Sequence, residues 1–536
     1  MPKPKVLFQP NTAPCLKRGI NQILNAIKPT LGPFPHLVAY DNDVNGLELL
    51  DDGGIIARRI IQLADRDADM GAMYVRQLLW QVRESVGDGV ATAAVLFQAV
   101  FDEGVRVIAG GGNAMRLRPY LEQGLKLILA ELDKQTFQVE GKESLAGLAE
   151  TTCHDPALAR LLGEIFDIIG EYGHLEIRYG RSRLLEREYF EGMYWTGGLV
   201  SPFLLAKAQK SKLKLEDAAV LISDLELASR ADLLHILQVA ERASVKTMLL
   251  LVKSITEELI GLCLSDSVKE KIHIVPVKLG SHHQSRIMDA LQDLAVLTGG
   301  RPVVQAAGQT AQSLTAADLG RARRGWADLD YFGLSGGKGD PRRLRQHIFD
   351  LRAAYQNSAD ADARRQLQTR IGKLLGGAAI LWVGGATETE IKTRRDIAER
   401  TARVLRGAVT GGVLPGGGAA LLRCQPALQQ QLTQSATLEE KAACQILIKA
   451  MEAPVRTLIR NAGDDPAQFL GQIKRAGPGL VFDLRHKQMV DAATAGILDV
   501  AAVQKEAVER AVRSAALALT IDVLVHVKKP VQSTEP

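Results

Sequence analysis

The sequence predicts a multi-domain protein in which a helical region, contributed by both ends of the chain, is interrupted by an α/β module. Three observations carry this. Apolar residues recur at helical spacing through the first 130 residues and again after Glu388. Between these stretches, short apolar runs of strand length alternate with helical patterns, the texture of a parallel sheet layered with helices. The length, 536 residues, suffices for about two to four domains with substantial cores.

In chain order, Met73, Val75, Leu78, Leu79, Val82 and Val86 define a helix over Met70–Val86. A second helix, Ala91–Ala109, follows the turn Gly87-Asp88-Gly89, where Gly87 ends the first helix and Asp88 is placed to cap the second. A third covers Met115–Leu132. Strands are expected at Ala218–Ile222, Met248–Val252 and Ile272–Val277, and helices at Ala231–Ala243, Thr256–Leu264 and Arg286–Leu297. Pro341–Leu375 reads as polar amphipathic helix and Ala378–Val383 as another strand. After Glu388 the chain reads as helix almost to its end. The Gln429-Gln430-Gln431 stretch reads as loop, and the polar tail after Val527 as disordered.

Composition excludes several classes of function. Lys and Arg number 66 against 61 Asp and Glu, a net charge of +5 spread thinly, with no basic block that would track a phosphate backbone. Aromatic residues make up 5%, too few for a platform stacking single-stranded nucleic acid. Cys15, Cys153, Cys263, Cys424 and Cys444 are scattered, without CxxC, so neither a disulfide framework nor a zinc site is expected. His282-His283 reads as a solvated loop, since adjacent side chains rarely converge on one metal. The N-terminal MPKPKVLFQP lacks the apolar core of a secretory signal, and no apolar run reaches a membrane span. A cytoplasmic protein with no nucleic-acid or membrane partner is expected.

Four glycine-containing turns stand out: Thr30-Leu31-Gly32-Pro33, Asp52-Gly53-Gly54, Gly87-Asp88-Gly89 and Gly416-Gly417-Gly418. Glycine lets the backbone approach a ligand, and free N–H groups at a helix start attract phosphate. A carboxylate such as Asp88 beside such a start can hold Mg²⁺ against phosphate oxygens. Any one of these turns is equally an ordinary cap. Neither a GxxxxGK[ST] loop nor a GxGxxG after a strand is present.

Taken together with Glu191-Gly192-Met193, Ser201-Pro202-Phe203, Leu297-Thr298-Gly299-Gly300, Ala386-Thr387-Glu388 and Gly496-Ile497-Leu498-Asp499, these turns resemble type I chaperonins, the GroEL type, in order and spacing along essentially the whole chain. The resemblance implies an all-α equatorial domain (1–134 and 411–536), a small α/β intermediate domain (135–191 and 378–410) and an α/β apical domain (192–377). It also implies seven-membered rings that bind non-native polypeptides, use ATP and Mg²⁺ with K⁺ as a further ion, and in some cases work with a co-chaperonin. The family's nucleotide pocket falls on Thr30, Leu31, Gly32, Pro33, Asp51, Asp52, Gly53, Asp88, Gly89, Val90, Ala91, Thr92, Gly417, Asp483 and Asp499. Asp88 takes the place of the magnesium ligand, and Asp499 that of the ribose contact.

The departures from the family are concentrated in that pocket. Three threonines follow its GDG; here the run is Val90-Ala91-Thr92, without two of the hydroxyls. A lysine is Asp51 here, and an asparagine is Asp483. The aspartate that positions the attacking water, expected sixteen residues before Gly416, is Arg400. Glu399 is rotated by about 100° and Asp396 is displaced by one turn, roughly 5–6 Å, so neither replaces it well. Asp52 is left as a candidate catalytic carboxylate. An arginine cannot act as a base; it either stabilises phosphate charge or is a solvated surface side chain. The inverted signs at positions 51 and 400 further suggest that Arg400 pairs with Asp51 or Asp52 as a latch.

In the α/β module, Leu199, Phe203, Leu204, Leu234, Leu237, Leu259, Cys263 and Leu264 fall where the family presents its apolar polypeptide-binding surface. Helical spacing alone fits core equally well. An apolar groove suits clients that share exposed hydrophobic surface, not a sequence. Two other readings stand beside the ATP-driven chaperone. One is a hydrolysis-deficient scaffold or partner of an orthodox paralogue; the other is a small-molecule enzyme on the α/β module.

Overall fold

The computed structural model describes residues 5–42, 46–139, 141–171, 173–180, 182–191, 193–208, 212–280, 283–358, 360–375 and 377–526. The chain divides into two compact units, Met1–Asp167 with Gly385–Pro536, and Ile168–Gly384. The helical region is therefore discontinuous in sequence, with the α/β module inserted into it.

The first unit is built on α1 (Thr12–Ile27), α2 (Gly53–Arg59), α3 (Arg66–Val86), α4 (Val90–Ala109) and α5 (Ala114–Gln135), together with helices Glu388–Gly411, Leu438–Asn461 and Ala501–Ala518. Val95, Leu96, Phe97, Val100 and Phe101 of α4 are all buried, as befits a helix apolar around most of its circumference. Helices α1 and α3 cross with their backbones touching. A Cβ at Gly19 would lie 1.7 Å from the Ala68 carbonyl oxygen, so only glycine admits the approach. Asp65 and Asn113 accept backbone N–H bonds at the starts of α3 and α5, caps worth about 1 kcal/mol each. Four short antiparallel strand pairs complete the unit: Lys5–Phe8 with Val523–His526, Val38–Asn42 with Gly46–Leu50, Val413–Pro415 with Leu498–Val500, and Leu480–Asp483 with Gln488–Asp491.

The second unit carries a six-stranded sheet in the order His273–Val277, Thr247–Leu251, Leu213–Leu221, Gly320–Ala327, Tyr331–Gly337, Met193–Thr196. The first three strands are parallel and the others antiparallel, so the expected parallel layer is in fact a mixed sheet. The parallel strands are apolar throughout because both faces are covered. Val220, Leu249 and Leu251 enter one core, while Ala219, Leu221, Met248 and Leu250 enter the other, the alternation of successive side chains along a strand. A three-stranded sheet joins His174–Tyr179, Gly377–Val383 and Glu186–Glu191.

A partly buried polar cluster ties the two sheets together. Glu176, on the three-stranded sheet, accepts from Tyr194 Oη at 2.9 Å and from Tyr331 Oη at 2.5 Å, both on the six-stranded sheet. Arg178 adds two bonds of 2.9 and 3.0 Å and lies 3.4 Å over the Tyr331 ring. Burial alone would raise the Glu176 pKa, but Arg178 and the tyrosine hydroxyls override it and hold the carboxyl below its usual range.

Several local expectations are corrected. Gln429-Gln430-Gln431 lies in helix Gln425–Gln434, not in a loop. Glutamine is a good helix former, Pro426 opens the helix, and Leu428 is buried beneath it. Pro341–Leu375 is two helices, Pro341–Asn357 and Ala361–Leu375, the second begun by Asp360 accepting from Asp362 and Ala363. Asp88 is not the cap of α4. Gly89, left-handed at φ 84°, holds that position. His282 and the tail from Val527 onward lie outside the described residues.

Candidate functional site

In the first unit the glycine turns converge. A Cβ on Gly53 would lie 3.5 Å from Thr30 Oγ1 and 3.6 Å from a Val90 methyl, so the turn after α1, the start of α2 and the start of α4 meet there. Asn461 pins the first turn by donating to the carbonyl oxygens of Lys28 and Leu31 at 2.9 and 2.8 Å. Gly32, at φ 107°, sits against Leu458, and Pro33 is exposed. Val90 and Thr92 are buried and Ala91 partly so, at the first turn of α4. Gly87 is left-handed, and a Cβ there would lie 2.6 Å from the Arg400 carbonyl oxygen. Helix Glu388–Gly411 therefore rests directly on the GDG turn.

Asp88 and Asp499 share this recess. Loss of water pushes the Asp88 carboxyl up, the Gly89 N–H and the Arg400 charge draw it down, and Asp52 raises it again. Asp499, in the short strand Leu498–Val500, accepts from Gln504 Nε2 at 2.8 Å. Burial, with Asp88 nearby, pushes it up to about 7. Gly417 is left-handed at φ 62° beside the Phe482 carbonyl. Asp483 spends its carboxylate within its own hairpin, accepting from the Arg485 N–H at 2.8 Å and meeting His486 Nδ1 at 2.6 Å. Asp51 is exposed.

Asp52 is doubly engaged. One oxygen caps α2, accepting from the Ile55 N–H at 2.7 Å, and the other is paired with Arg400. Of the two partners named for Arg400, it is Asp52 that the guanidinium meets. Arg400 is 7% exposed, which rules out the solvated surface arginine. A second arginine completes the arrangement. Arg83 of α3, 5% exposed, bonds Asp396 at 2.8 Å and turns its Nε towards Asp52 at 3.9 Å. Arg400 turns its own Nε towards Asp396, also at 3.9 Å. The four charges alternate around a closed square. Glu399, by contrast, pairs with Arg395 at 2.9 Å. Sequence reasoning missed Arg83. Its signal was present: it stands four residues after Leu79, on the apolar stripe of α3, where a charged residue needs a buried partner.

The second unit holds the expected polypeptide-binding residues. Phe203 and Leu234 are 70% and 57% exposed. Leu237 and Leu264 are partly buried. Leu199, Leu204, Leu259 and Cys263, expected on the same surface, are instead core residues at most 4% exposed, packed into the apolar cores on the two faces of the six-stranded sheet. An open apolar cleft of about 420 Å³ lies between helices Phe203–Ala208 and Glu257–Cys263, lined by Phe203, Ala206, Ile260 and Leu264, with Ser201 and Glu257 as its polar groups. Just beyond the C-terminal end of strand Leu213–Leu221, Ser223 donates to the Leu251 carbonyl at 2.7 Å, and Asp224 accepts from the Gln305 N–H at 2.7 Å and from Gln284 Nε2 at 3.5 Å. These polar groups are engaged within the fold. Among the described residues no three His, Cys, Asp or Glu side chains are grouped to hold a metal ion, and no helix is long and apolar enough to cross a membrane.

A helical unit closed from both chain ends around glycine turns, with an inserted α/β unit bearing an apolar cleft, is the architecture of a chaperonin subunit. The model of the TCP-1/cpn60 chaperonin family matches residues 23–529, and the chain belongs to that family. Among solved structures it is similar to the chaperonin gp146 from the bacteriophage EL 2 (Pseudomonas aeruginosa), crystallised in the presence of ATP-BeFx. One crystal form of gp146 superposes with a TM-score of 0.72 at 19% identity, covering 98% of this chain and 99% of that one. A second crystal form gives 0.62 at the same identity and coverage.

Proposed function

We propose that this chain is a ring-forming chaperonin subunit that captures non-native polypeptides on its α/β unit, binds an adenine nucleotide in its helical unit, and turns that nucleotide over slowly or not at all. The observation that carries the last clause is the buried Arg400–Asp52 pair. Where the family resemblance expects a carboxylate to orient water stands a guanidinium, which can neither accept a proton nor act as a base. The same guanidinium engages Asp52, the remaining candidate carboxylate.

The donor set suits a magnesium-bound nucleotide. The Nε atoms of Arg83 and Arg400 are buried without a hydrogen-bond partner, and the backbone of Gly53 is packed closely against Ile27, Thr30 and Val90, which brings the glycine turns together. Asp88 and Asp499 are carboxyls whose raised affinity for protons a cation would relieve. Among the described residues no three His, Cys, Asp or Glu side chains are grouped around Asp88 to hold a metal ion, so Mg²⁺ held there would draw its other ligands from phosphate oxygens and water. That gp146 was crystallised with ATP-BeFx supports the same reading. In this proposal 1–134 with 411–536 forms the nucleotide and ring-contact part, 135–191 with 378–410 the hinge, and 192–377 the polypeptide-binding part. Phe203 and Leu234 supply the exposed apolar contact.

The test combines particle size, nucleotide affinity and ATP turnover on one preparation. A high-mass ring that binds nucleotide and suppresses aggregation of an unfolded client, with little turnover, is the expected result. A clean monomer with and without nucleotide would overturn the ring. The enzyme reading is disfavoured because Ser223 and Asp224, at the strand end where a substrate would sit, are already engaged within the fold, by the Leu251 carbonyl and by the Gln305 N–H with Gln284 Nε2.

A further inference from the structure

We infer that Arg83 acts with Arg400 as the specificity-determining pair for the terminal phosphate of a nucleoside triphosphate, the two guanidiniums exchanging Asp396 and Asp52 for phosphate oxygens. The inference rests on the nucleotide reading above and assigns a role to a residue that neither the sequence pattern nor the family resemblance singles out.

Four observations support it. Both arginines are more than nine-tenths buried, so their desolvation is already met by the fold. Each bonds one carboxylate through a terminal nitrogen and keeps a buried Nε–H without a partner, aimed at the second carboxylate across 3.9 Å. The square is therefore one hydrogen bond short at two corners. The site is also shaped around Arg83: a Cβ on Gly54 would lie 2.5 Å from Arg83 Cδ and 3.1 Å from both Arg83 Nε and Asp52 Oδ1. Finally, a Cβ on Gly87 would lie 2.6 Å from the Arg400 carbonyl oxygen, and Asp52 immediately precedes Gly53, which meets Thr30 and Val90, so the square lies beside the place where the glycine turns meet.

The exchange is chemically matched. A guanidinium fork binds carboxylate and phosphate by the same geometry, and a terminal phosphate offers more negative charge and more acceptor oxygens than one carboxylate. The released carboxylates have other places to go. Asp396 has a half-exposed side chain, and Asp52 retains its bond from the Ile55 N–H. A diphosphate offers no terminal group at that position, so the pair discriminates between the two nucleotides.

Trp80 is a built-in reporter. Of the four tryptophans it alone lies in the helical unit, with the Arg83 guanidinium 5.5 Å and the Arg58 guanidinium 4.8 Å from its ring. The full-length protein in its own assembly is titrated with Mg²⁺ and either ADP or a non-hydrolysable ATP analogue, following Trp80 fluorescence and affinity by calorimetry. The wild type is expected to prefer the triphosphate and to change Trp80 emission with it alone. Arg83→Met should cut the triphosphate-to-diphosphate affinity ratio by about tenfold to a hundredfold, the worth of hydrogen bonds to a charged group. Asp396→Asn should raise that ratio, because it frees Arg83 from its competitor. If both substitutions leave the ratio unchanged while ADP still binds, or shift it in the same direction, the square is only a structural clasp and the inference is wrong. Should Arg83→Met fail to fold, Asp396→Asn decides alone: an unchanged or lowered ratio overturns the inference. A wild type that binds neither nucleotide removes the nucleotide reading itself, and this inference with it.

Discussion

Arg400 reaches Asp52 across 348 positions of sequence, and its guanidinium is buried where it arrives. The pair holds helix Glu388–Gly411 to the start of α2. One turn earlier on that helix, Asp396 meets Arg83 with the opposite polarity. The helix is thus held by two ion pairs whose charges run in opposite senses, an arrangement that resists sliding as well as separation.

Breaking the square from one side leaves buried charge without a partner. Arg400→Ala should lower the stability of the helical unit by about 3 kcal/mol, the usual cost of orphaning a buried ion. Denaturant unfolding followed by Trp80 fluorescence measures this. Asp396→Asn, which keeps a side-chain oxygen to accept from Arg83, should cost clearly less.

Restoring a carboxylate at position 400 should restore hydrolysis only in part. Arg400→Asp supplies the water-orienting group but sets two carboxylates against each other at Asp52, and Val90 and Ala91 still lack hydroxyls. Steady-state phosphate release is expected to rise above the wild type yet remain well below that of an orthodox chaperonin. Adding Val90→Thr and Ala91→Thr should raise it further.

The two classes of apolar residue in the α/β unit should separate cleanly. Phe203→Ser and Leu234→Ser remove exposed side chains, so client capture should fall while stability changes by no more than about 0.5 kcal/mol. Leu259→Ser, at 1% exposure, should destabilise by about 3 kcal/mol or more through lost packing and a buried hydroxyl. Aggregation assays with an unfolded client, run beside thermal melts, distinguish them.

Glu176 sets an acid limit on the α/β unit. Its folded pKa is held below the unfolded value, so its contribution is complete above the unfolded pKa, about 4.3. It is lost as pH falls through the folded pKa. Glu176→Gln should flatten the acid limb of the stability–pH curve while leaving its slope near neutrality unchanged. Tyr194→Phe, which removes one donor to the carboxylate, should cost about 1.5–3 kcal/mol near neutral pH and shift the acid limb upward.

Much of this was legible in the sequence. Runs such as Met248-Leu249-Leu250-Leu251 declare a strand buried on both faces, and the structure places a strand at Thr247–Leu251. The return to helix after Glu388 and the charge inversion at Arg400 were equally plain. The antiparallel strands Gly320–Ala327 and Tyr331–Gly337 were not, because glycines and arginines interrupt the alternation that would mark them. Leu259 and Leu234 show why periodicity cannot separate groove from core: both sit at helical spacing, and only packing decides which one faces water. Arg83 needed its partner, more than three hundred residues away, before its burial made sense.

If Arg400 replaces catalysis with a latch, steady-state ATP hydrolysis by the unmodified protein, measured beside nucleotide binding, reveals it. Saturable binding with turnover near background is the expected result. Brisk turnover that Asp52→Ala abolishes and Arg400→Ala leaves untouched would contradict it, because a carboxylate locked in an ion pair would then be orienting the water unaided.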